Sequence, residues 1–548
     1  MAKGYLLLML HMHLPFVRHP EHETFLEENW LFEAISETYL PLLRMFDRLE
    51  AADVPFRMAI SISPTLAAML EDELLQERYV RHLEGLLELG DRELERTRHD
   101  ENEQAVARMY RELFQQNYDD FIERYERRIL RGFDYYSKRG RIELLTSAAS
   151  HAFLPLYESY PETVNAQVQL AAQEHQRIFG KPARGFWLPE CGYFPGVEDV
   201  LREHGFDYFF AATHGVLFSP DRPEAGVYRP VKTPNGLAVF ARDLYSANAV
   251  WSGQEGYPGH PSYREFYRDI GYDLPIDYIG EFIHEGNIRI PTGFKYQAIT
   301  GDTEEKRLYQ PEVAAETVER HADDFIAQQE RLLSRVSALM EGPPVVTSPY
   351  DAELFGHWWF EGPRWLETVI RKLARPASDT NGAERLEMIT PAEYLRLQQP
   401  DQKVQPTFSS WGNEGYSEVW IDGKNDWIYP HIHRAIERMV ELVRRYPDES
   451  GLKERALAQA AREVLLSQSS DWAFIMRAGT TVPYAERRVK EHIYNFTTIY
   501  DGLCRGSVDT EWLTRLERRH NLFPELDYRV FSSRKLPRTL RSKSLSIR

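Results

Sequence analysis

The segment Thr347-Ser348-Pro349-Tyr350-Asp351-Ala352-Glu353-Leu354-Phe355-Gly356-His357-Trp358-Trp359 decides how this chain is read. It follows a short apolar run, Pro343 to Val346, of the kind that makes a buried strand. It then sets two carboxylates, a histidine and two tryptophans close together. A second cluster, Gly185-Phe186-Trp187-Leu188-Pro189-Glu190-Cys191-Gly192-Tyr193, lies about 160 residues upstream. Carboxylates at strand ends beside flat aromatics suit cleavage of a sugar linkage. One carboxyl attacks or stabilises the anomeric carbon, another protonates the leaving oxygen, and indole faces hold the rings. The competing reading makes the aromatics core and the acids solvated.

Working outward, Tyr5 to Leu10 and Arg57 to Ile62 read as buried parallel strands, and Glu71 to Gly140 as almost wholly helical. Strand signals resume at Ile142 to Thr146, Gly185 to Leu188, Tyr208 to Ala212, Ala238 to Ala241 and Val345 to Thr347. Six or seven strands separated by helices or long loops imply an α/β fold of the (β/α) barrel type, with a helical insertion at about 71–140. Chemistry in such barrels gathers at the C-terminal ends of strands, where His11, His13, His151, Glu190, Arg242 and Asp351 all fall. After about Gln399 the strand signal stops. Asp426 to Arg445, Lys453 to Gln468, Tyr484 to Leu503 and Thr510 to His520 read as amphipathic helices. The expected division is a catalytic barrel over 1–400, a C-terminal helical domain over 401–531 and a disordered basic tail over 532–548.

Composition narrows the function. A formal net charge of −18 argues against a nucleic-acid partner. Only two cysteines occur, Cys191 and Cys504, which suits a reducing cytoplasm. The apolar start, Met1 to Leu10, reads as a strand rather than a signal peptide, and no run suggests a membrane span. Eight of the 11 tryptophans (Trp187, Trp251, Trp358, Trp359, Trp411, Trp420, Trp427, Trp472) sit in or beside the chemical clusters, which points to a stacking surface.

Pro189 and Gly192 bracket Glu190, and the glycine would permit the sharp turn that aims the carboxyl into a cleft. Asp351 stands in the same relation to its own strand, and Glu353, two residues on, competes with it. If the two acids meet about 5 Å apart the enzyme retains anomeric configuration; the alternative is helix capping. His11-Met12-His13 could bind a metal or hydrogen-bond a sugar or Glu190, and the second is favoured because His431 and His433 repeat the pattern on a predicted surface helix. Trp411-Gly412-Asn413-Glu414-Gly415 and Gln468-Ser469-Ser470-Asp471-Trp472 read either as sugar contacts or as helix-cap and interdomain residues.

His11 to Phe16, Gly140 to Leu144, Gly185 to Glu190 and Asp351 to Trp359 resemble the successive motifs of glycoside hydrolase family 57. The segments around Trp411 and Gln468 to Trp472 look like those of its α-glucan branching members. The resemblance covers nearly the whole chain apart from the basic tail. It implies an incomplete (β/α)7 barrel, a retaining mechanism, no metal and no cofactor, with an α-glucan as donor and acceptor. Carried over, it makes Glu190 the nucleophile and Asp351 the acid/base. Arg242, Gly259, Trp411 and Asp471 fall at substrate contacts, joined here by His11, His13, His151, Trp358 and Trp472. A glutamine that some members carry nine residues past the aspartate is Thr480 here. Branching members also close the cleft with a tyrosine-tipped loop, for which Tyr228 and Tyr257 are the candidates. A monomer acting in the cytoplasm is expected.

Overall fold

The computed structural model describes residues 2–375 and 385–532. Of the basic tail expected to be disordered over 532–548, residues 533–548 lie outside them. Seven parallel strands form one curled sheet: β1 (Ala2–Met12), β2 (Met58–Ile62), β3 (Ile142–Ser147), β4 (Gly185–Trp187), β5 (Tyr208–Ala211), β7 (Ala238–Ala241) and β8 (Val345–Asp351). Two strands escape the sequence reading. β6 (Val231–Lys232) is antiparallel to β7, and β9 (Arg385–Met388) pairs with the first half of β1. β6 is two residues long, too short to show a period, and β9 (Arg-Leu-Glu-Met) lacks the apolar run that marks β5 and β7 at the same length.

Among the described residues the path β7-β5-β4-β3-β2-β1-β8 leaves β7 and β8 without a strand pairing to each other. Two single hydrogen bonds span that opening, Asp243 N to Thr347 O (2.9 Å) and Val345 N to Tyr228 O (2.8 Å). The barrel is therefore incomplete, as expected.

Residue alternation then decides what faces inward. Leu7 and Met9 of β1 pack inside with Ala59, Leu145, Trp187, Phe210, Phe240 and Val345. Leu6, Leu8 and Leu10 pack on the opposite face, against the helices. The period of two carries the inner row onward to His11 and His13, to Ser61, Ser147 and Arg242, and to Asp351. The residues with chemistry are thus the upper rung of the interior ladder, where apolar filling gives way to polar groups.

Between β2 and β3 run the helices Glu73–Arg96, Glu101–Asp119 and Leu130–Lys138. Asp72 and Asp100 start the first two by accepting from backbone amides, at Leu75 N and at Asn102 N and Glu103 N. The C-terminal part is helical at Ile428–Arg445, Leu452–Ser467, Ser470–Ala478, Val482–Arg505 and Thr510–Arg519. Among the described residues no helix is long and apolar enough to cross a membrane.

Candidate active site

Glu190 sits in the connection after β4 with φ +63°, followed by Cys191 at φ +51°. These two non-glycine residues, not Gly192 at φ −70°, make the sharp turn, contrary to the sequence expectation. Left-handed backbone on a side-chain-bearing residue costs about 1 kcal/mol or more and persists where neighbours enforce it. Here Cys191 N to Leu188 O, Gly192 N to Pro189 O and Trp411 N to Glu190 O, each 2.9 Å, enforce it.

Each oxygen of the Glu190 carboxylate then receives one donor from the C-terminal part of the chain. Trp411 Nε1 donates to Oε2 (2.7 Å) and Ser470 Oγ to Oε1 (2.9 Å). Burial raises the Glu190 pKa above the usual glutamate value, with the Asp471 charge adding to it, while the two donors oppose the shift.

A hydrogen-bonded chain runs from β2 to this carboxylate. Ser61 Oγ meets His11 Nδ1 (3.2 Å), His11 Nε2 meets His151 Nε2 (2.9 Å), and His151 Nδ1 meets Ser470 Oγ (2.9 Å). Its polarity follows from one end. Ser470 spends its only proton on Glu190, so His151 must donate from Nδ1 and accept at Nε2. His11 then donates from Nε2 and accepts from Ser61. Both imidazoles are neutral in this arrangement, in keeping with pKa values driven well below the ordinary one by burial, by His13 and, for His11, by His151 as well.

A parallel chain holds Asp471. Ser63 Oγ lies 2.8 Å from His13 Nδ1, His13 Nε2 lies 2.9 Å from Asp471 Oδ2, and Ser469 also donates to Oδ2. Burial alone would raise the Asp471 pKa, but His13, His151 and Ser469 hold it at about 2. The His13 and His151 rings stack at 3.6 Å between centroids. His13, His151 and Asp471 bring three donor atoms within 4.8 Å of one another, a set that could hold a cation as well as hydrogen-bond a sugar.

Asp351 ends β8 in register with His11. In the sheet order four strand steps separate β8 from β4, or about 19 Å if the sheet were flat. Yet the Glu190 charge contributes to the Asp351 pKa, so curvature rather than strand adjacency brings Asp351 into the field of Glu190. Burial, then Glu353, then Glu190 push Asp351 well above the usual aspartate range, against the pull of Arg242. Glu353 is differently placed. Its Oε1 accepts from Tyr39 OH (2.5 Å) and His13 N (3.3 Å), and burial pushes its pKa to about 7. Among the described residues no hydrogen bond engages the Asp351 carboxyl, so Asp351, not Glu353, is the acid left open to a ligand.

Arg242 lies within cation–π range of Trp411 and Trp251, 5.4 and 5.9 Å from their centroids, with its buried Nε unpartnered. Trp411 meets Trp187 and Trp251 edge to face. Glu190, Asp351, His11, His13, His151, Arg242, Trp411 and Asp471 thus form one cluster.

The remaining candidates do not join it. Trp472 has no exposed surface and donates its indole N–H to Leu466 O (2.9 Å), so it is core and presents no plane to a sugar. Gly259 packs against the backbone of Gly253, where a Cβ would lie 1.8 Å from Gly253 O. Trp358 stacks on Phe266. Tyr257 donates to Asp324 (2.8 Å) and is buried, while Tyr228 reaches Asp243 at 3.4 Å, so neither tips a free loop. Trp187, Trp359, Trp420 and Trp472 are fully buried, so the expected stacking surface reduces to Trp251, Trp358, Trp411 and Trp427. Sequence reasoning missed Ser61, Ser63 and Ser470. Ser61 and Ser63 echo His11 and His13 with the same spacing on the neighbouring strand, a signal that could have found them.

The family profile for glycosyl hydrolase family 57 matches residues 7–407, and one for the C-terminal region of 1,4-alpha-glucan branching enzymes matches residues 431–531. The chain belongs to glycosyl hydrolase family 57. A 1,4-alpha-glucan branching enzyme of Thermococcus kodakarensis is 34% identical over 95% of this chain and 77% of its own length. The crystal structure of the alpha-amylase AmyC from Thermotoga maritima superposes with a TM-score of 0.90 at 43% identity, covering 98% of this chain and 100% of that one. A family 57 branching enzyme from Pyrococcus horikoshii gives 0.86 at 32% identity, covering 98% of each. Membership in family 57 agrees with the barrel and with the helical C-terminal region.

Proposed function

We propose that this family 57 protein is a retaining α-glucan branching enzyme, with residues 1–400 as the catalytic unit and the helices of 401–531 completing its cleft. Glu190 attacks the anomeric carbon of an α-1,4-linked glucan. Asp351, kept protonated by its surroundings, gives its proton to the departing 4-oxygen. The glycosyl-enzyme ester is then attacked by the 6-hydroxyl of an acceptor glucan while Asp351 takes that proton, which releases Glu190 and leaves an α-1,6 branch. The observation that carries this reading is the contrast between the two acids. Glu190 is fixed at both oxygens by donors that stabilise its anion, whereas Asp351 is half-buried, bare of hydrogen bonds among the described residues and pressed by negative neighbours. That is the division of labour between nucleophile and acid.

Hydrolysis is the second reading, favoured by the 43% identity to AmyC and by the absence of a tyrosine-tipped loop at Tyr228 or Tyr257. Both share the first half-reaction and differ in whether a sugar or water reaches the ester. Incubation with amylose, with product profiles taken before and after debranching, separates them. Branching yields new short chains only after debranching, with few new reducing ends; hydrolysis yields abundant reducing ends beforehand. Glu190→Gln and Asp351→Asn each lower turnover at least ~1,000-fold while circular dichroism stays native. Retained turnover in either removes the assignment.

A further inference from the structure

Trp358 lies in the connection that begins at Asp351, which leaves the same C-terminal end of the parallel strands as the connection carrying Glu190. Its ring lies on that of Phe266 at 4.3 Å and 8°, and Tyr267 meets it edge-on at 6.1 Å. With one face covered, Trp358 is still 49% exposed, so the other face is open to solvent.

The pair is built rather than loose. Lys295, itself buried, donates from Nζ to Phe266 O and lies 4.2 Å from the Phe266 ring centroid. Gly356 at φ +109° lets the connection pass so close to Glu37 O that a Cβ would sit 1.7 Å from it. His357 Nδ1 bonds Glu37 (2.7 Å), and Phe266 packs edge-on against the same imidazole at 5.1 Å. The far side of that imidazole, Nε2, lies 4.0 Å from the Glu33 carboxyl. Among the described residues no hydrogen bond saturates Glu33, and burial pushes its pKa to about 7.

A rigid aromatic plane open on one side has the form of a sugar contact, because it takes the C–H face of a pyranose. We propose that Phe266 and Trp358, backed by the His357 imidazole that links them to Glu33, form an outer α-glucan contact that holds a part of the chain distant from the scissile bond. The inference rests on the α-glucan reading of the Glu190 site. Its occupant is the same polymer, because the platform hangs on the loop that carries Asp351.

The test uses native gels cast with and without amylose, run on the full chain in the Glu190→Gln background so that no turnover erodes the gel. Adding Trp358→Ala should weaken amylose retardation roughly 3–10-fold in apparent Kd, the worth of one stacked ring. Trp358→Leu, which keeps apolar bulk without the plane, should lose as much, and Trp358→Phe should recover most of it. In the active background, Trp358→Leu should raise the amylose KM by a similar factor with kcat within about twofold. Retardation equal to that of Trp358 in both Ala and Leu variants overturns the platform while leaving the Glu190 reading intact. A parent chain that neither converts nor binds amylose overturns both.

Discussion

Asp351 shows how a residue's task is set by what surrounds it rather than by its type. Glu353, two residues away, is spent on Tyr39 and His13, and its charge helps keep the Asp351 proton on. The sign of the pH dependence follows. With Glu190 as the proposed nucleophile, the acid limb of kcat/KM should report its ionisation, which burial moves above the usual glutamate value. With Asp351 as the proposed acid, the alkaline limb should report loss of its proton, displaced well above the aspartate range. Glu353→Gln removes a negative neighbour, so the alkaline limb should move to lower pH; a pH–rate profile with that limb fixed or raised contradicts the assignment. At this scale much was legible, because Glu190 and Asp351 sit in dense, unusual clusters. Trp472 misled for a geometric reason. Consecutive helical residues diverge by about 100°, so while Asp471 faces His13 its neighbour must face the core. Ser61 and Ser63 stayed hidden because serine is unremarkable until strand pairing places it beside a histidine.

Among the elements, the C-terminal helices are tied by a buried polar knot. Glu463 on Leu452–Ser467 accepts from His492 Nδ1 (2.8 Å) on Val482–Arg505 and from His520 Nδ1 (2.7 Å) just past Thr510–Arg519, all without exposed surface. Their ligating atoms also lie close enough to hold a cation. Glu463 is held well below the usual glutamate value, its burial outweighed by the two histidines, while burial takes His492 down to about 4 and lowers His520. On acidification from the ordinary histidine value of 6.5 toward 4, the unfolded chain binds protons at His492 that the folded chain refuses. Stability should therefore fall with pH across that window, and further as Glu463 protonates in the unfolded chain. Glu463→Ala strands two buried donors and should cost about 3–5 kcal/mol; calorimetry at neutral pH showing an unchanged Tm would sink the knot as a stabilising feature. The helices themselves were readable from their amphipathic period, whereas this knot depends on pairings across 29 and 57 residues that no local pattern encodes.

The whole molecule matters because neither part of the chain builds the site alone. The sheet supplies Glu190, Asp351 and three histidines, and the part after residue 407 supplies Trp411, Ser470 and Asp471, which fix them. Ser470→Ala should cut kcat/KM by about 10–100-fold, because it breaks both the bond to Glu190 and the histidine chain, with Tm shifted little. Wild-type rates in that variant would show that the contact is incidental. The seven-stranded barrel was legible from apolar runs closed by chemical residues, but its curvature, which brings β4 and β8 together, was not, since it arises from strand twist accumulated over the sheet. The central claim is that Glu190 bonds to the sugar. A fluorinated α-glycosyl fluoride, which forms the ester faster than it is released, followed by peptide mass spectrometry, tests this directly. One glycosyl residue on the peptide bearing Glu190, absent in Glu190→Gln, is the expected result; turnover with no adduct, or an adduct on another carboxylate, contradicts it.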